Sequence, residues 1–327
     1  MGSNVITGEY MRDNQKFADL CNFFLYKGNQ VVKPEHLVEK DVTELGSPYT
    51  EKGVQQIEKI RDILKSCIVK SANGITYLII GVENQSNIHY AMVVRNMVLD
   101  ALNYEAQVKA IAKKHQEDKD LHGSAEYLSG FKKTDKLLPV ITITLYWNSG
   151  KWDAPRNLHD MLNVTDEEIL QYVPNYNLNL LVPDEIEDFE GFQSDLGVVL
   201  RMFQCTNDKS KLKKLINGEV ELIIGKEAAT LLSECLSMKI DVSQEKEGGK
   251  MDVRNAIHDL IAEGRAEGRA EGKAEGKAEG KAEGKAEGRL EELIFFYHQG
   301  VITKELAASR MGVKVEEFEK QLTEVNK

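Results

Sequence analysis

The sequence predicts an α/β fold: a compact core with helical additions, followed by a C-terminal repeat and a helical tail. Three observations predict this fold class. Helical apolar spacing and β-branched runs occur in the order helix, strand, strand, helix, strand; an Asn-Gly turn joins two of the runs; and a tetrapeptide repeat fills residues 262–289. This order is typical of a single α/β core rather than of a repeated βαβ array.

The first two patterns are helical. Between residues 10 and 26, apolar residues such as Phe17, Leu20 and Phe24 recur at three- and four-residue spacing, which predicts one amphipathic helix ending near Gly28. A shorter helical pattern follows through residues 54–63. It runs into residues 63–70, which we predict to be a strand.

A β-hairpin is predicted next. Residues 71–74 read Ser-Ala-Asn-Gly, and Asn-Gly tolerates the positive φ that a tight hairpin turn requires. The return strand, residues 75–83, is nearly all apolar and rich in β-branched and aromatic residues, as in strands that are covered on both faces. We therefore expect it to be central in the sheet.

The remaining core elements are a long helix over residues 90–114, which can cover the sheet, and a strand over residues 138–147. Residues 157–239 are mostly helical in pattern, with a short strand candidate at residues 177–182, and we assign them to the same domain. We thus expect a core domain of residues 1–240, followed by a linker and a short helix over residues 241–261.

The repeat, residues 262–289, consists of seven copies of Ala-Glu-Gly-Arg or Ala-Glu-Gly-Lys. Four residues advance a helix by about 400°, so no apolar face persists, and each Gly costs ~1 kcal/mol relative to Ala. Each Glu also meets another Glu at i+4, so the isolated segment is expected to be frayed or disordered. Two roles remain open: a spacer of drifting copy number, or self-association through facing stripes of Glu and of Lys or Arg.

The tail, residues 290–327, has three short helical patterns punctuated by Gly300 and Gly312. Its second and third patterns look like a helix-turn-helix. The would-be recognition helix carries Glu316, Glu317 and Glu319 where a DNA reader needs hydrogen-bond donors. We therefore favour a small helical cap or a protein contact over base readout.

Composition excludes several classes of function. The four cysteines show no CxxC pairing, so zinc sites and disulfide frameworks lack support and a reducing cytoplasm fits best. The apolar runs are strand-length, which argues against a membrane role. The net charge of −11 disfavours nucleic acid, but residues 1–150 hold 18 Lys and Arg against 18 Asp and Glu, so a DNA-facing patch near this N-terminal region is compatible with the sequence.

The candidate chemistry lies at the ends of the predicted hairpin. Asp62 stands at the start of the first strand, while Glu83 and Gln85 stand at the end of the second, two apart and so on one face. Antiparallel pairing brings the two ends together. Two carboxylates at one sheet edge can bind a hard cation such as Mg²⁺ and leave positions for water and a phosphate oxygen. Taken alone, such carboxylates are more often solvated surface residues.

Six segments carry a family resemblance: residues 60–65, 77–86, 91–96, 138–147, 152–158 and 192–197. The second reads Tyr-Leu-Ile-Ile-Gly-Val-Glu-Asn-Gln-Ser. In unbroken order over the first two-thirds of the chain, they resemble the D…ExQ signature of the bacterial Rpn family (recombination-promoting nuclease, putative transposase) of the PD-(D/E)XK nuclease superfamily. The resemblance implies a restriction-endonuclease-like core, in which helices flank a mixed central sheet, and Mg²⁺-dependent DNA endonuclease activity linked to recombination or mobile DNA.

By position, the resemblance places Asp62 and Glu83 on the metal, together with the backbone carbonyl of Asn84, with Mg²⁺ as cofactor and Mn²⁺ as a substitute. Gln85 stands where the superfamily usually has Lys, and its neutral amide can position water or phosphate but cannot take a proton. A second hypothesis is therefore a nuclease-fold DNA-binding or assembly protein with weak or no turnover. Retention of both carboxylates favours the nuclease.

Two further sets of residues are considered but not assigned to catalysis. Asp19 on the first helix is an additional acidic candidate, although helix carboxylates are mostly surface residues. Arg95, Tyr104 and Gln107 share helical spacing on the long helix and could contact phosphate, but a helix face commonly contains such residues.

Overall fold

The computed structural model describes residues 3–40, 43–46, 49–50, 53–54, 57–60, 62–71, 74–218, 221–240 and 249–325. The chain divides into two compact units, Met1–Leu260 and Ile261–Lys327. Among the residues described, none of the helices has both the length and the apolar character needed to cross a membrane.

The strands are, in chain order, β1 (Leu37–Glu39), β2 (Thr43–Gly46), β3 (Tyr49–Thr50), β4 (Gly53–Val54), β5 (Ile57–Ile60), β6 (Ile63–Ser71), β7 (Gly74–Gln85), β8 (Val140–Tyr146), β9 (Asn179–Leu181), β10 (Ile223–Gly225) and β11 (Lys250–Asp252). The α-helices are α1 (Ser3–Arg12), α2 (Asn14–Tyr26), α3 (Met92–Asp118), α4 (Gly123–Ser129), α5 (Glu167–Leu170), α6 (Leu196–Cys205), α7 (Lys209–Asn217), α8 (Lys226–Leu236), α9 (Arg254–His298), α10 (Lys304–Met311) and α11 (Val315–Val325).

A five-stranded mixed sheet forms the centre of the first unit, in the order β1-β6-β7-β8-β9. β6 is antiparallel to β1 and β7, whereas β7, β8 and β9 are parallel. Ser71 pairs with Gly74, which confirms the predicted hairpin; its turn residues 72–73 lie outside the described residues. β7 is the middle strand, as its continuous apolar run predicts, and its residues Ile80 and Val82 are fully buried.

Helix α3 connects the parallel strands β7 and β8 and crosses one face of the sheet. It starts shortly after the end of β7, and its later turns reach the beginning of β8. There the Val140 N–H donates to the Tyr104 hydroxyl (3.1 Å) and the Leu138 N–H donates to the Gln107 side chain (2.7 Å). The predicted long helix and following strand are thus confirmed. The first turn of α3 lies at the sheet edge where β7 and β8 end.

The single N-terminal helix that the sequence predicts is two helices, because the chain breaks at Asp13. The Asp13 carboxylate accepts the N–H groups of Gln15 (2.9 Å) and Lys16 (3.0 Å) and so caps α2. The ammonium of the buried Lys65 donates a hydrogen bond to the Arg12 carbonyl. In a continuous helix that carbonyl would accept a main-chain N–H of the same helix. Successive side chains of β6 point to opposite faces of the sheet. Helices α1 and α2 therefore cover one face, and α3 covers the other.

The helical pattern predicted over residues 54–63 is wrong. The structure has the strands β4 and β5 there, and β5 pairs antiparallel with β2. Ile57, Ile60 and Ile63 recur every three residues, as on a helix face. Isoleucine nevertheless favours strands, and pairing with β2 holds β5 in the extended conformation. Residues 55–56 and 61 lie outside the described residues.

Near the end of α3, His115 ties down the segment that follows the helix. Its Nδ1 lies 2.7 Å from Asp120 Oδ1 and its Nε2 lies 2.9 Å from Asp135 Oδ2. Lys132 donates to Asp120 as well (2.6 Å). The hydrogen bond to Asp135, followed by the bond to Asp120, raises the pKa of His115.

The repeat of the second unit is helical throughout in the full chain, whereas the expectation of a frayed or disordered segment concerned the isolated repeat. Helix α9 includes all seven copies. Three of every four repeat residues, namely Ala, Glu and Lys or Arg, are strong helix formers, and helical sequence at both ends removes the cost of nucleation. Together these terms outweigh the cost of one glycine per repeat.

The three helical patterns of the tail are confirmed by the end of α9, by α10 and by α11. Ile294 of α9, Ala307 of α10 and Phe318 of α11 are buried together in one apolar cluster. Gly312 ends α10 with a φ of +73°, a left-handed conformation that favours glycine over other residues. The tail thus has a small hydrophobic core of its own.

Candidate active site

The structure brings Asp62 and Glu83 together across the first two long strands. Ile63 pairs with Val82, so Asp62 lies immediately before β6 and opposite the end of β7. The Asp62 N–H is 3.4 Å from Oε1 of Glu83, and the Asn84 N–H donates to Oδ2 of Asp62 at 2.6 Å. Main-chain groups of each strand therefore hold the carboxylate of the other, which fixes the separation of the two acids.

Gln85 lies two residues beyond Glu83 on β7, and alternate residues of a strand share one face. Its side chain is half-buried, whereas the side chain of Glu83 is fully buried. The Gln85 carbonyl accepts the Trp147 N–H at 2.8 Å, so the main chain at this point is fixed to the segment that follows β8. Gln85 is the last residue of β7, which agrees with its predicted place at the end of this strand.

Asn84 anchors the end of β7 through its side chain, a role that its place in the resemblance did not reveal. Its Oδ1 accepts the indole N–H of Trp147 at 2.7 Å. The Trp147 ring packs edge-on against Tyr10 (6.1 Å between centroids) and Phe203 (5.5 Å). These contacts anchor the end of β7 next to the carboxylate pair.

Arg95 is part of the site, although its spacing in the sequence assigned it no role. From the first turn of α3, its Nε donates to Oε2 of Glu83 at 3.0 Å. The contact depends on where α3 docks on the sheet. Its one signal in the sequence is the position of the arginine shortly after the end of β7.

The electrostatics of Asp62 combine opposing effects. Burial raises the pKa of this carboxyl, while the hydrogen bond from the Asn84 N–H and the positive charges of Arg95 and Arg12 lower it. The site therefore penalises uncompensated negative charge, and a cation placed between the acids would relieve that penalty.

The donor set fits a hard divalent cation. Asp62, Glu83 and the Asn84 carbonyl offer only oxygen, and Mg²⁺ is commonly held by one or two carboxylates with water and phosphate oxygens completing its shell. Within the part of the chain that the structure describes, no group of three or more His, Cys, Asp or Glu side chains is placed to hold a metal. Because Asp62, Glu83 and the Asn84 carbonyl offer oxygen alone, the set suits Mg²⁺ or Mn²⁺ better than the nitrogen- and sulfur-preferring Zn²⁺.

Asp19 does not join the site, and the expectation of a surface carboxylate is wrong as well. The residue is 3% exposed. Its oxygens accept the N–H groups of Gln193 (2.9 Å) and Ser194 (2.8 Å) together with the Ser194 hydroxyl. Asp19 therefore ties α2 to the segment before α6, a structural role.

A basic helix begins at the same edge of the sheet. The Asn148 side chain donates to the carbonyl of Ser86 (3.1 Å), directly after Gln85, and the Asn207 side chain donates to the hydroxyl of Ser149. Helix α7 starts two residues after Asn207. It carries four lysines and no acidic residue, and three of them, the α7 lysines Lys209, Lys213 and Lys214, are exposed.

Residues 49–231 match the family model described as "Putative transposase, YhgA-like", a span that covers more than half of the 327 residues. Comparison with curated proteins and with solved structures returned no match. The matched span includes Asp62, Glu83, Asn84, Gln85 and Arg95, whereas the N-terminal helices α1 and α2 lie outside it.

Proposed function

Because the chain belongs to the YhgA-like putative transposase family, we propose that it is a metal-dependent DNA endonuclease acting in recombination or on mobile DNA. The observation that carries the proposal is the pair of carboxylates, Asp62 and Glu83, held together at one edge of a mixed sheet. The five-stranded sheet flanked by helices is compatible with the restriction-endonuclease-like core of the PD-(D/E)XK nucleases.

In this proposal Asp62, Glu83 and the Asn84 carbonyl hold Mg²⁺, for which Mn²⁺ can substitute. When bound, the cation stabilises negative charge on the phosphate and makes water a better nucleophile. Gln85 orients water or phosphate through its amide, which can donate and accept hydrogen bonds but cannot take a proton. We therefore expect slower turnover than in a nuclease with Lys at this position.

DNA is the substrate that the charge distribution supports. The chain carries a net charge of −11, yet the α7 lysines concentrate positive charge where β7 and β8 end. Lysine ammonium groups at this spacing can follow a phosphate backbone. The opposite edge offers a matched comparison, the α3 lysines Lys113 and Lys114, which are exposed near the end of α3.

The alternative is a DNA-binding or assembly protein that has lost turnover. Gln85 in place of Lys favours it, and so does the negative total charge. Binding of DNA without cleavage in the presence of Mg²⁺ would identify this function.

Cleavage of supercoiled plasmid tests the proposal. The purified chain is incubated with Mg²⁺, Mn²⁺ or EDTA, beside Asp62→Ala, Glu83→Ala and the control Asp118→Ala, which removes an exposed carboxylate at the far end of α3. We expect metal-dependent nicking that falls about 100-fold or more in the first two variants and is unchanged in the control. No cleavage, or cleavage that both site variants retain, would reject the nuclease in favour of the alternative.

Self-association of the second unit is proposed separately. Along α9, the repeat places Ala, Glu, Gly and Lys or Arg in turn, so a second copy can approach closely and present opposite charges. Light scattering of the full chain should give a mass above 36.8 kDa that falls as salt screens the charges. A monomer at all salt concentrations would reject the idea and leave the repeat as a spacer.

A further inference from the structure

Arg95 and Glu83 form an ion pair inside the candidate metal site. Arg95 Nε lies 3.0 Å from Glu83 Oε2, and the Glu83 side chain is 0% exposed whereas 39% of the Arg95 side chain is exposed. Oε1 of the same carboxylate faces the Asp62 N–H at 3.4 Å. Glu83 is thus held by the main chain at the neighbouring strand and by a guanidinium that also reaches solvent.

Charge balance explains why this pair suits the metal-free protein. Two carboxylates lie together in a place where burial disfavours negative charge, and Arg95 supplies positive charge there through its contact with Glu83. A divalent cation shared by the carboxylates would neutralise them, and the guanidinium would then be a like charge beside it. Arg95 and the metal therefore compete for Glu83.

We infer that Arg95 changes partners during the reaction cycle: it holds Glu83 in the metal-free protein and contacts a DNA phosphate in the metal-loaded one. The inference rests on the proposed function. Ligands of one cation are neighbours of each other, so a phosphate that shares the metal with Glu83 comes within reach of a long side chain already in contact with Glu83. The planar guanidinium pairs with carboxylates and with phosphates alike.

Competition for Glu83 predicts an unusual pair of effects. Arg95→Gln removes the charge and keeps a polar side chain, so the protein should bind Mn²⁺ about tenfold more tightly while cleavage at saturating metal falls about tenfold or more. Arg95→Lys keeps the charge but loses the planar donors. Its Mn²⁺ affinity should stay within about twofold of wild type, whereas cleavage should still fall.

The experiment is a calorimetric titration of the full chain with Mn²⁺, beside plasmid cleavage at saturating Mn²⁺ and thermal melting. Arg156→Gln is the matched control, because the exposed Arg156 guanidinium bonds to Glu185 (3.0 Å) rather than to a carboxylate of the candidate site. Because an exposed charge without contact to Glu83 acts weakly, this variant should change Mn²⁺ affinity and cleavage by less than about twofold.

Tighter Mn²⁺ binding together with slower cleavage in Arg95→Gln supports the exchange of partners. Unchanged or weaker Mn²⁺ binding in a variant that melts like wild type overturns it, since Arg95 then does not compete with the metal. Lower melting with weaker binding in both Arg95 variants also overturns it and assigns Arg95 a structural role. A wild-type chain that neither binds Mn²⁺ nor cleaves DNA rejects the proposed function itself, and this inference with it.

Discussion

Replacing Asp19 with alanine tests whether this buried carboxylate is structural. The change leaves the N–H groups of Gln193 and Ser194 without their acceptor and removes the partner of the Ser194 hydroxyl. A hydrogen bond to a charged group contributes ~1.5–3 kcal/mol, and three are lost; because water reaches the exposed Gln193 and the half-buried Ser194, we expect the low end of their sum, about 3–5 kcal/mol in the free energy of unfolding. Asp13→Ala, which removes an exposed helix cap, should cost only about 1 kcal/mol.

Urea unfolding followed by circular dichroism measures both losses on the full chain. Asp19→Asn adds a second test, because it keeps the volume and one acceptor oxygen and should lose roughly half as much stability as Asp19→Ala. The folded variant should bind Mn²⁺ as wild type does. An Asp19→Ala loss no larger than that of Asp13→Ala, or an Asp19→Asn variant of normal stability that no longer binds Mn²⁺, would refute the structural assignment.

Three further predictions follow from particular contacts. The pKa of His115 is higher in the folded chain than in the unfolded chain. Its stabilising effect is therefore present below the pKa of the unfolded chain and is lost as the pH rises through the pKa of the folded chain. His115→Gln should reduce the urea midpoint more at about pH 5.5 than at about pH 9. Gly28→Ala places a Cβ 2.8 Å from the Cα of Gly191 at a φ of +85°, and should lower the melting temperature well below that of Gly150→Ala, where φ is +95° and the space is open. Neutralising the α7 lysines to Gln should weaken DNA binding and reduce the slope of log affinity against log salt by about 2–3, whereas the same change in the α3 lysines should leave the slope unaltered when both are measured by fluorescence anisotropy.

Local signals account for the parts of the fold that the sequence predicts. The turn-forming sequence at residues 71–74 predicts the hairpin between β6 and β7, and the pairing of Ser71 with Gly74 agrees with it. Once Ile63 pairs with Val82, the meeting of Asp62 and Glu83 follows from geometry alone. The carboxylate pair could therefore be placed before any tertiary contact was known.

Other features depend on contacts between segments far apart in the sequence. At the break before α2, Lys65 donates a hydrogen bond to the Arg12 carbonyl, which then has no partner within a continuous helix. The burial of Asp19 depends on hydrogen-bond donors about 175 residues away, and partners at that distance leave no local pattern in the sequence. The contact of Arg95 with Glu83 likewise requires the docking of α3 on the sheet.

The central claim is that Asp62 and Glu83 share one divalent cation, and calorimetric titration of Mn²⁺ into Asp62→Asn and Glu83→Gln tests it most directly. Each substitution keeps the shape of the side chain and removes one charge. If the two carboxylates share the cation, wild type should bind a single Mn²⁺ and each variant should weaken that binding by about 100-fold or more, with melting temperatures near that of wild type. Undiminished Mn²⁺ binding by either variant would contradict the shared site.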